Sequence, residues 1–232
     1  MNILSISERL KKLVSLIPKC DVFADIGTDH GYLAIRSVQE KIARKAIASD
    51  IAKMPLEQAK HQINKYNLIE DIDIRLGSGL EPIEVNEVDG IVVAGMGGKN
   101  IYNILESKKE VSTRLEFLIL QPQNNSEAVR FWLIENGYKI VQELLVKENN
   151  IIYQIIKAVP GKSANYSNIE MQYGIKKTID NKSLLKEYLD QEINKCRNIL
   201  IEMNKSENSD IIDKRNTIAK EIDSLEKYLS SL

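Results

Sequence analysis

The sequence predicts an α/β fold in which a mainly parallel sheet carries helices on both of its faces. Strand-like and helix-like segments alternate regularly as far as Pro160, a pattern typical of this fold class. The first strands are almost continuous runs of valine, isoleucine and leucine, as expected for parallel strands buried on both faces. Polar or glycine-rich loops follow the strands, so the segments are clearly separated.

The predicted elements follow in chain order. A helix at residues 5–17 begins with a capping box formed by Ser5 and Glu8 and ends at Pro18. Further helices are predicted at 32–41, 55–67, 101–106 and 126–136. Strands are predicted at 22–26, 45–49, 72–76, 90–94, 117–120, 139–147 and 151–158. The last two strands flank a short polar turn and therefore form an antiparallel pair.

The segment after Pro160 predicts a separate helical unit. Apolar residues recur at steps of three and four over 189–203 and over 211–232, and the polar stretch 204–210 separates the two runs. This pattern is typical of an antiparallel helical hairpin packed as a coiled coil. We therefore expect one domain at 1–162 and a C-terminal helical domain at 163–232.

Composition excludes several classes of protein. The 32 basic and 33 acidic residues give a net charge of −1, so any contact with RNA must use a local patch. Two cysteines and two histidines provide neither a disulfide framework nor the spacing of metal ligands, and we expect no metal. Apolar runs are too short to cross a bilayer, and charges near the N-terminus argue against a signal peptide. A cytoplasmic protein that does not bind membranes is expected.

The loops that follow the strands predict one ligand site. The unusual loops are 25–31, the end of the second strand at Asp50, 77–79, 95–98 and 121–125. In open α/β sheets, ligands bind beyond the carboxyl ends of the strands. Because every unusual loop lies at such an end, we expect these loops to meet.

The first loop favours a cationic ligand over a dinucleotide. Asp29 stands where the nicotinamide fingerprint has its second glycine, and its carboxylate would repel a pyrophosphate. Asp25 suits a cation, and S-adenosylmethionine carries an ammonium and a sulfonium but no phosphate. Asp50 is placed to accept hydrogen bonds from ribose hydroxyls, while Gly77 and Gly79 allow backbone to approach adenine.

Three segments carry a resemblance to a known family. They are Ser7-Glu8-Arg9-Leu10, residues 25–33 and residues 94–98. Together they resemble class I S-adenosylmethionine-dependent methyltransferases, which have a Rossmann-like fold, and more narrowly the bacterial tRNA (adenine-22-N1)-methyltransferases. Gln121-Pro122-Gln123 and the helical hairpin also fit, whereas Ser78 replaces the aspartate common at its position. The resemblance implies methylation of N1 of an adenine in tRNA, with S-adenosylmethionine as the cofactor.

The resemblance and the loop positions together assign the site residues. The cofactor-binding residues are expected to be Asp25, Gly27, Thr28, Gly31, Asp50, Ile51, Gly77, Ser78, Gly79, Ala94, Gly95 and Met96. The substrate-binding residues are expected to be Arg9, His30, Tyr32, Gly97, Gly98, Gln121 and Pro122. Asp29 is expected to be catalytic, either stabilising developing positive charge on the base or accepting a proton from N6.

Alternatives remain open for the substrate and for the hairpin. The residues expected to bind the cofactor do not specify the methyl acceptor, so another RNA or a small molecule could be methylated. Asp29 disfavours a nicotinamide-dependent oxidoreductase. The presence of both Asp25 and Asp29 beside intact glycines disfavours a non-catalytic RNA-binding module. A basic cluster of Arg9, Lys11, Lys12 and Lys19 could dock tRNA. The hairpin could reach along the RNA or form a dimer; we expect a monomer.

Overall fold

The computed structural model describes residues 3–203 and 212–232, and within them the strands form one sheet. The strands are β1 (Cys20–Ile26), β2 (Ala43–Asp50), β3 (Ile72–Leu76), β4 (Gly90–Met96), β5 (Phe117–Pro122), β6 (Tyr138–Glu148) and β7 (Ile151–Pro160). Their order is β3-β2-β1-β4-β5-β7-β6. Strands β1 to β5 pair in parallel, and β7 is antiparallel to both β5 and β6. The predicted α/β class and the terminal antiparallel pair are confirmed.

Helices connect and flank these strands. They are α1 (Glu8–Leu16), α2 (Tyr32–Gln39), α3 (Lys53–Lys65), α4 (Gly98–Ser107), α5 (Lys109–Ser112), α6 (Ser126–Glu135), α7 (Asn168–Tyr173), α8 (Lys182–Met203) and α9 (Ile212–Ser230). The short helices α5 and α7 were not predicted, because four to six residues do not establish a helical period.

Helix ends differ from the predictions for local reasons. The predicted capping box at Ser5 is wrong, because Ser7 is the N-cap of α1 and its hydroxyl accepts from the Leu10 N–H at 3.4 Å. Helix α4 begins at Gly98, three residues earlier than predicted, since glycine has low helix propensity but is tolerated in a first turn. Most strands are two or three residues longer than predicted, while β3 has the predicted bounds.

The sheet buries both of its faces, as the continuous apolar runs predict. On β5, Phe117 and Ile119 pack in one core, whereas Leu118 and Leu120 pack in the other. This alternation follows from the two-residue period of a strand. Helices α1, α2 and α3 cover the first face, and α4, α5 and α6 cover the second. The carboxyl ends of the parallel strands are therefore left as a common edge for ligands.

The two C-terminal helices pack against each other, as expected for the hairpin. Leu189 and Ile193 of α8 and Leu225 of α9 belong to a third core, which also includes Leu145 and Ile152 of the β6–β7 pair. The predicted polar turn at 204–210, together with residue 211, lies outside the described residues. The boundary between residues 162 and 163 stays a prediction.

A buried ion pair joins the sheet to the segment after α7. Arg130 donates from Nη2 to Glu143 Oε2 at 2.5 Å, and the two side chains are 0% and 2% exposed. The second oxygen of Glu143 accepts from the Ile175 N–H at 2.8 Å and the Thr178 hydroxyl at 2.9 Å. Arg130 also donates to Gln154 Oε1 at 2.9 Å. Both charges therefore have several hydrogen-bond partners.

Replacing Arg130 with methionine is expected to destabilise the fold strongly. Removing one member of a buried pair leaves the other charge uncompensated, which costs about 3–5 kcal/mol. Urea denaturation monitored by circular dichroism measures the loss. Arg197→Met is the matched control, because Arg197 pairs with Glu226 at 2.6 Å in an exposed position and such pairs contribute little. Equal losses of unfolding free energy in the two variants would contradict the assignment of Arg130 and Glu143 as a stabilising buried pair.

Candidate cofactor cleft and acceptor loops

A cleft of about 290 Å³ opens at the carboxyl ends of β1 to β4. Its lining includes a large part of the predicted cofactor set, namely Gly27, Asp50, Ile51, Gly77, Ser78, Gly79 and Met96. The remaining lining residues were missed, and they are Ile26, Asn100, Asn103 and Ile104. The spacing of the two asparagines on α4 places them on one helix face, which is the signal that could have found them.

The first loop is tied to the second strand by its backbone. The Gly27 and Thr28 N–H groups both donate to the carbonyl of Ser49, at 2.8 and 2.9 Å. Gly27 has φ +77°, and a Cβ at this position would overlap the Met96 Cε atom. The buried Thr28 hydroxyl accepts from the Gly31 N–H at 3.1 Å, just before α2 begins. Thr28 and Gly31 thus support the loop from beneath the cleft.

Asp25 is a buried carboxylate that precedes Ile26 of the cleft lining; it lies outside the lining itself, with 4% of its surface exposed. Burial raises the pKa of Asp25 to about 6, a hydrogen bond with Thr28 opposes that rise, and the charge of Asp50 adds to it. A cation bound beside Asp25 would lower this pKa again, because it favours the ionised form. The environment of Asp25 therefore suits a positively charged ligand.

The ends of β2 and β3 are joined at the cleft. Asp50 accepts from the Ala52 N–H at 2.7 Å through Oδ1, and its carbonyl accepts from the Gly77 N–H at 3.0 Å. Ile51 beside it is 71% exposed, so the rim carries an apolar side chain. At Gly79, with φ +55°, a Cβ would lie 3.1 Å from Ile104. A flat ligand could therefore lie close to the backbone between these loops.

Asp29, His30 and Tyr32 lie outside the lining of the 290 Å³ cleft. The Asp29 side chain is 78% exposed, and its Oδ2 atom is 3.3 Å from Nε2 of His30. The His30 ring stacks on Tyr32 with ring centroids 5.0 Å apart. The structure thus brings these predicted residues together on the accessible side of the first loop, where a large substrate can reach them.

The ends of β4 and β5 form a bulge. Ala94 pairs with Gln121 and Met96 with Pro122, so Gly95, at φ +77°, is left out of the pairing. Its N–H donates instead to Oε1 of the buried Gln121 side chain at 3.1 Å. The predicted substrate residues Gln121 and Pro122 therefore lie beside the predicted cofactor residues Ala94 to Met96.

The loops that follow β4 and β5 are held together by main-chain contacts. The Gly98 N–H donates to the Asn124 carbonyl at 2.9 Å, and the Gln123 N–H donates to the Met96 carbonyl at 2.8 Å. A Cβ at Gly98 would overlap the Asn125 carbonyl oxygen and lie 2.6 Å from that of Asn124. We call residues 95–98 and 121–125 the acceptor loops.

Arg9 reaches the acceptor loops from α1. Its Nη1 atom donates to Gln121 Oε1 at 2.8 Å, and its guanidinium lies 5.3 Å from the centre of the Tyr153 ring. Nε is 3.5 Å from a carboxylate oxygen of Glu148. Lys11 of the predicted basic cluster pairs with Glu8 at 2.6 Å. The guanidinium of Arg9 is thus engaged inside the protein.

A second groove, of about 570 Å³, lies between the loop after β5 and the C-terminal helices. Asn124 and Tyr153 line one side, and Tyr188, Glu192 and Lys195 of α8 line the other. Sequence analysis missed this groove because its walls are far apart in the chain and meet only through tertiary packing.

Comparison with known proteins places the chain in a family. A family model described as a methyltransferase domain matches residues 6–156. The tRNA (adenine(22)-N(1))-methyltransferase of Bacillus subtilis is 39% identical over 176 residues, which span 75% of this chain and 74% of the relative. The chain belongs to the tRNA (adenine(22)-N(1))-methyltransferase family.

Solved structures of family members extend the likeness to the whole described fold. The B. subtilis m1A22 tRNA methyltransferase TrmK aligns with a TM-score of 0.87 and 30% identity, covering 97% of this chain and 99% of that one. The M. capricolum TrmK, solved with S-adenosylhomocysteine, aligns with a TM-score of 0.86 and 28% identity, covering 99% of each chain. The resemblance noted in the sequence is confirmed.

No helix in 3–203 or 212–232 is long and apolar enough to span a bilayer. The same residues contain no group of three histidine, cysteine, aspartate or glutamate side chains that could hold a metal ion.

Proposed function

We propose that this protein transfers a methyl group from S-adenosylmethionine to N1 of adenine 22 in tRNA. The observation that carries the proposal is a glycine-lined cleft beside the acceptor loops, with the carboxylate of Asp50 in its lining and the buried Asp25 behind it. This arrangement occurs in a chain that is 39% identical to the B. subtilis enzyme of that name. The cleft and the acceptor loops together provide places for a methyl donor and a base.

The residues of the cleft fit S-adenosylmethionine. When bound, the cofactor supplies a methyl group made electrophilic by a sulfonium centre. The carboxylate of Asp25 would attract its ammonium group, and Asp50 keeps one oxygen for the ribose hydroxyls beyond its bond to the Ala52 N–H. Ile51 and the backbone at Ser78 would flank the adenine ring. S-adenosylmethionine contains no pyrophosphate, so the carboxylates of Asp25 and Asp50 would not repel it.

The acceptor loops fit a base that needs orientation more than deprotonation. N1 of adenine has an in-plane lone pair and can attack without a general base, so alignment supplies much of the rate. Main-chain hydrogen bonds at Gly98 and Gln123 hold the loops rigid, and rigidity favours alignment. A base buried in folded tRNA must leave its stack to reach such a site.

We propose Asp29 as the group that stabilises the cationic base. Replacing it with alanine is expected to lower kcat by about tenfold or more, because a charge facing developing positive charge stabilises the transition state. The dissociation constant of S-adenosylhomocysteine should stay within about threefold, since the Asp29 side chain is 78% exposed and solvent screens its charge from the cofactor cleft. Steady-state kinetics and calorimetry measure the two effects. Full turnover of Asp29→Ala with cofactor bound would refute the role.

A monomer with two domains, acting in the cytoplasm, completes the proposal. Residues 1–162 would hold the cofactor and the base, and 163–232 would form the helical domain. The apolar faces of α8 and α9 pack on each other and on the β6–β7 pair of the same chain, so a second copy is not needed to cover them. Both cysteines are free, as is usual in a reducing compartment.

The experiment that tests the function uses S-adenosylmethionine with a labelled methyl group and tRNA from cells that lack the modification. After transfer, the tRNA is digested and the labelled nucleoside is identified by chromatography and mass spectrometry. Label in 1-methyladenosine is the expected result. Label in another nucleoside, or none in tRNA, would overturn the proposal.

A further inference from the structure

The amide of Gln121 is a buried junction at the start of the acceptor loops. Its side chain is 0% exposed. Its oxygen accepts two hydrogen bonds, from Arg9 Nη1 at 2.8 Å and from the Gly95 N–H at 3.1 Å. Its nitrogen donates to the Pro122 carbonyl at 3.2 Å. Both lone pairs of the oxygen are therefore used, and one of its donors comes from 112 residues away in the chain.

The donors around Gln121 fix which way its amide points. If the amide turned by 180°, its NH₂ group would face both the Arg9 guanidinium and the Gly95 N–H, and all of these groups are donors. Two favourable contacts would become two donor–donor contacts. Arg9 therefore helps to select the orientation in which the oxygen satisfies Gly95.

The Gly95 N–H depends on this amide because it lies outside the β4–β5 pairing. Gly95 itself is exposed, so the bond to the buried Gln121 oxygen is what ties its N–H to the interior of the protein. The next residue, Met96, lies over Gly27 in the cofactor cleft, and its carbonyl holds the loop after β5 through the Gln123 N–H. The path of the chain at Gly95 thus affects the cleft and the acceptor loops together.

Arg9 itself is held on two further sides. Glu148 lies at the end of β6 and Tyr153 on β7, and both lie against the guanidinium of Arg9, whose side chain is 24% exposed. Glu148 offsets the positive charge, so Arg9 adds little repulsion to a cationic cofactor or product nearby. A guanidinium with three partners inside the protein is poorly available to an RNA phosphate.

We propose that Arg9 is a positioning residue for methyl transfer, which acts through Gln121 to hold the Gly95 bulge between cofactor and base. This inference rests on the proposed function and gives Arg9 a role different from direct tRNA binding. It implies that Arg9 affects kcat and leaves the affinity for tRNA nearly unchanged.

The test compares Arg9→Met, Gln121→Leu and the double variant with the wild-type protein. We expect Arg9→Met to lower kcat by about tenfold or more, since small misplacements near reacting groups are costly. The KM for tRNA and the affinity for S-adenosylhomocysteine should change by less than about threefold. Because both residues act through one contact, the double variant should be no slower than the slower single variant. If Arg9→Met does not fold, Arg9→Lys takes its place.

Lys12→Met provides the charge comparison, because Lys12 is an exposed cation on the same helix. Loss of a phosphate contact raises KM and reduces the salt dependence of tRNA binding. If Arg9→Met showed that pattern with an unchanged kcat, or if the effects of Arg9→Met and Gln121→Leu multiplied, the positioning role would be overturned.

Amide exchange of Gly95 separates this inference from the proposed function. Arg9→Met should speed exchange of the Gly95 N–H in the protein without substrate, as measured by nuclear magnetic resonance. Wild-type protein that labels no tRNA would refute the proposed function, and the Gly95 exchange would still report whether Arg9 holds the bulge. Unchanged Gly95 exchange in Arg9→Met would refute the positioning role alone.

Discussion

Replacing Asp25 with asparagine is expected to weaken S-adenosylhomocysteine binding by roughly 30-fold or more, and the fold should remain intact. Removing one member of a buried, hydrogen-bonded charge pair costs about 2–5 kcal/mol, and 2 kcal/mol corresponds to ~30-fold. Asp25 is 4% exposed, so water could not replace an interaction with the ammonium group of the proposed cofactor. Isothermal titration calorimetry measures the change, with Asp223→Asn on α9 as a distant control.

The pH dependence of stability and of cofactor binding gives an independent check on the role of Asp25. Burial raises the pKa of Asp25 in the folded protein to about 6, above its value in the unfolded chain. The folded state therefore holds this proton more tightly, and the contribution of Asp25 to stability falls as pH rises from about 4 to 6. Cofactor binding should strengthen over the upper part of that range as Asp25 ionises.

Asp25→Asn should lose both pH effects, and at pH 7.5 its melting temperature without cofactor should be no lower than that of the wild type. An asparagine at this site has no charge to desolvate. If Asp25→Asn bound S-adenosylhomocysteine within threefold of the wild type, the assignment of Asp25 to the cationic ligand would be wrong.

Replacing Gly98 with alanine is expected to abolish methyl transfer and to lower stability. The new Cβ would overlap the Asn125 carbonyl oxygen and lie 2.6 Å from that of Asn124, and backbone atoms cannot move aside as a side-chain end can. Overpacking of this kind costs about 1–3 kcal/mol or more. Relief of the overlap must separate the acceptor loops, which would misplace the base.

Gly97→Ala is the matched control for stability. Gly97 has φ −63°, which suits any residue, and a Cβ there would lie 3.1 Å from the Asn124 side-chain oxygen, which can rotate away. Thermal melting and single-turnover rates should therefore separate the two variants clearly. A Gly98→Ala protein with wild-type stability and turnover would show that the loops are not held together as described.

The sequence was sufficient to predict the fold and most of the residues that line the 290 Å³ cleft. Parallel strands have a fixed direction, so residues that follow them, such as Asp50 and Gly77, must meet at one edge. The loop glycines could be recognised because positive φ and close approach exclude other residues, as at Gly27.

Other features could not be predicted because they depend on tertiary packing. The direction of the Arg9 side chain is set by partners on β5, β6 and β7 that local pattern does not reveal. The second groove needs the placement of α8 against the loop after β5. The 78% exposure of the Asp29 side chain and its approach to His30 also depend on the folded loop, and the sequence pattern did not reveal them.

The most direct test of the account is methylation of a matched pair of tRNA transcripts that differ only at nucleotide 22, with adenine in one and guanine in the other. N1 of guanine carries a hydrogen and offers no lone pair, so the account expects one methyl group at nucleotide 22 of the first transcript and none in the second. Mass spectrometry of nuclease fragments locates the methyl group. Equal methylation of both transcripts, or a methyl group on N6 of adenine 22, would contradict the account.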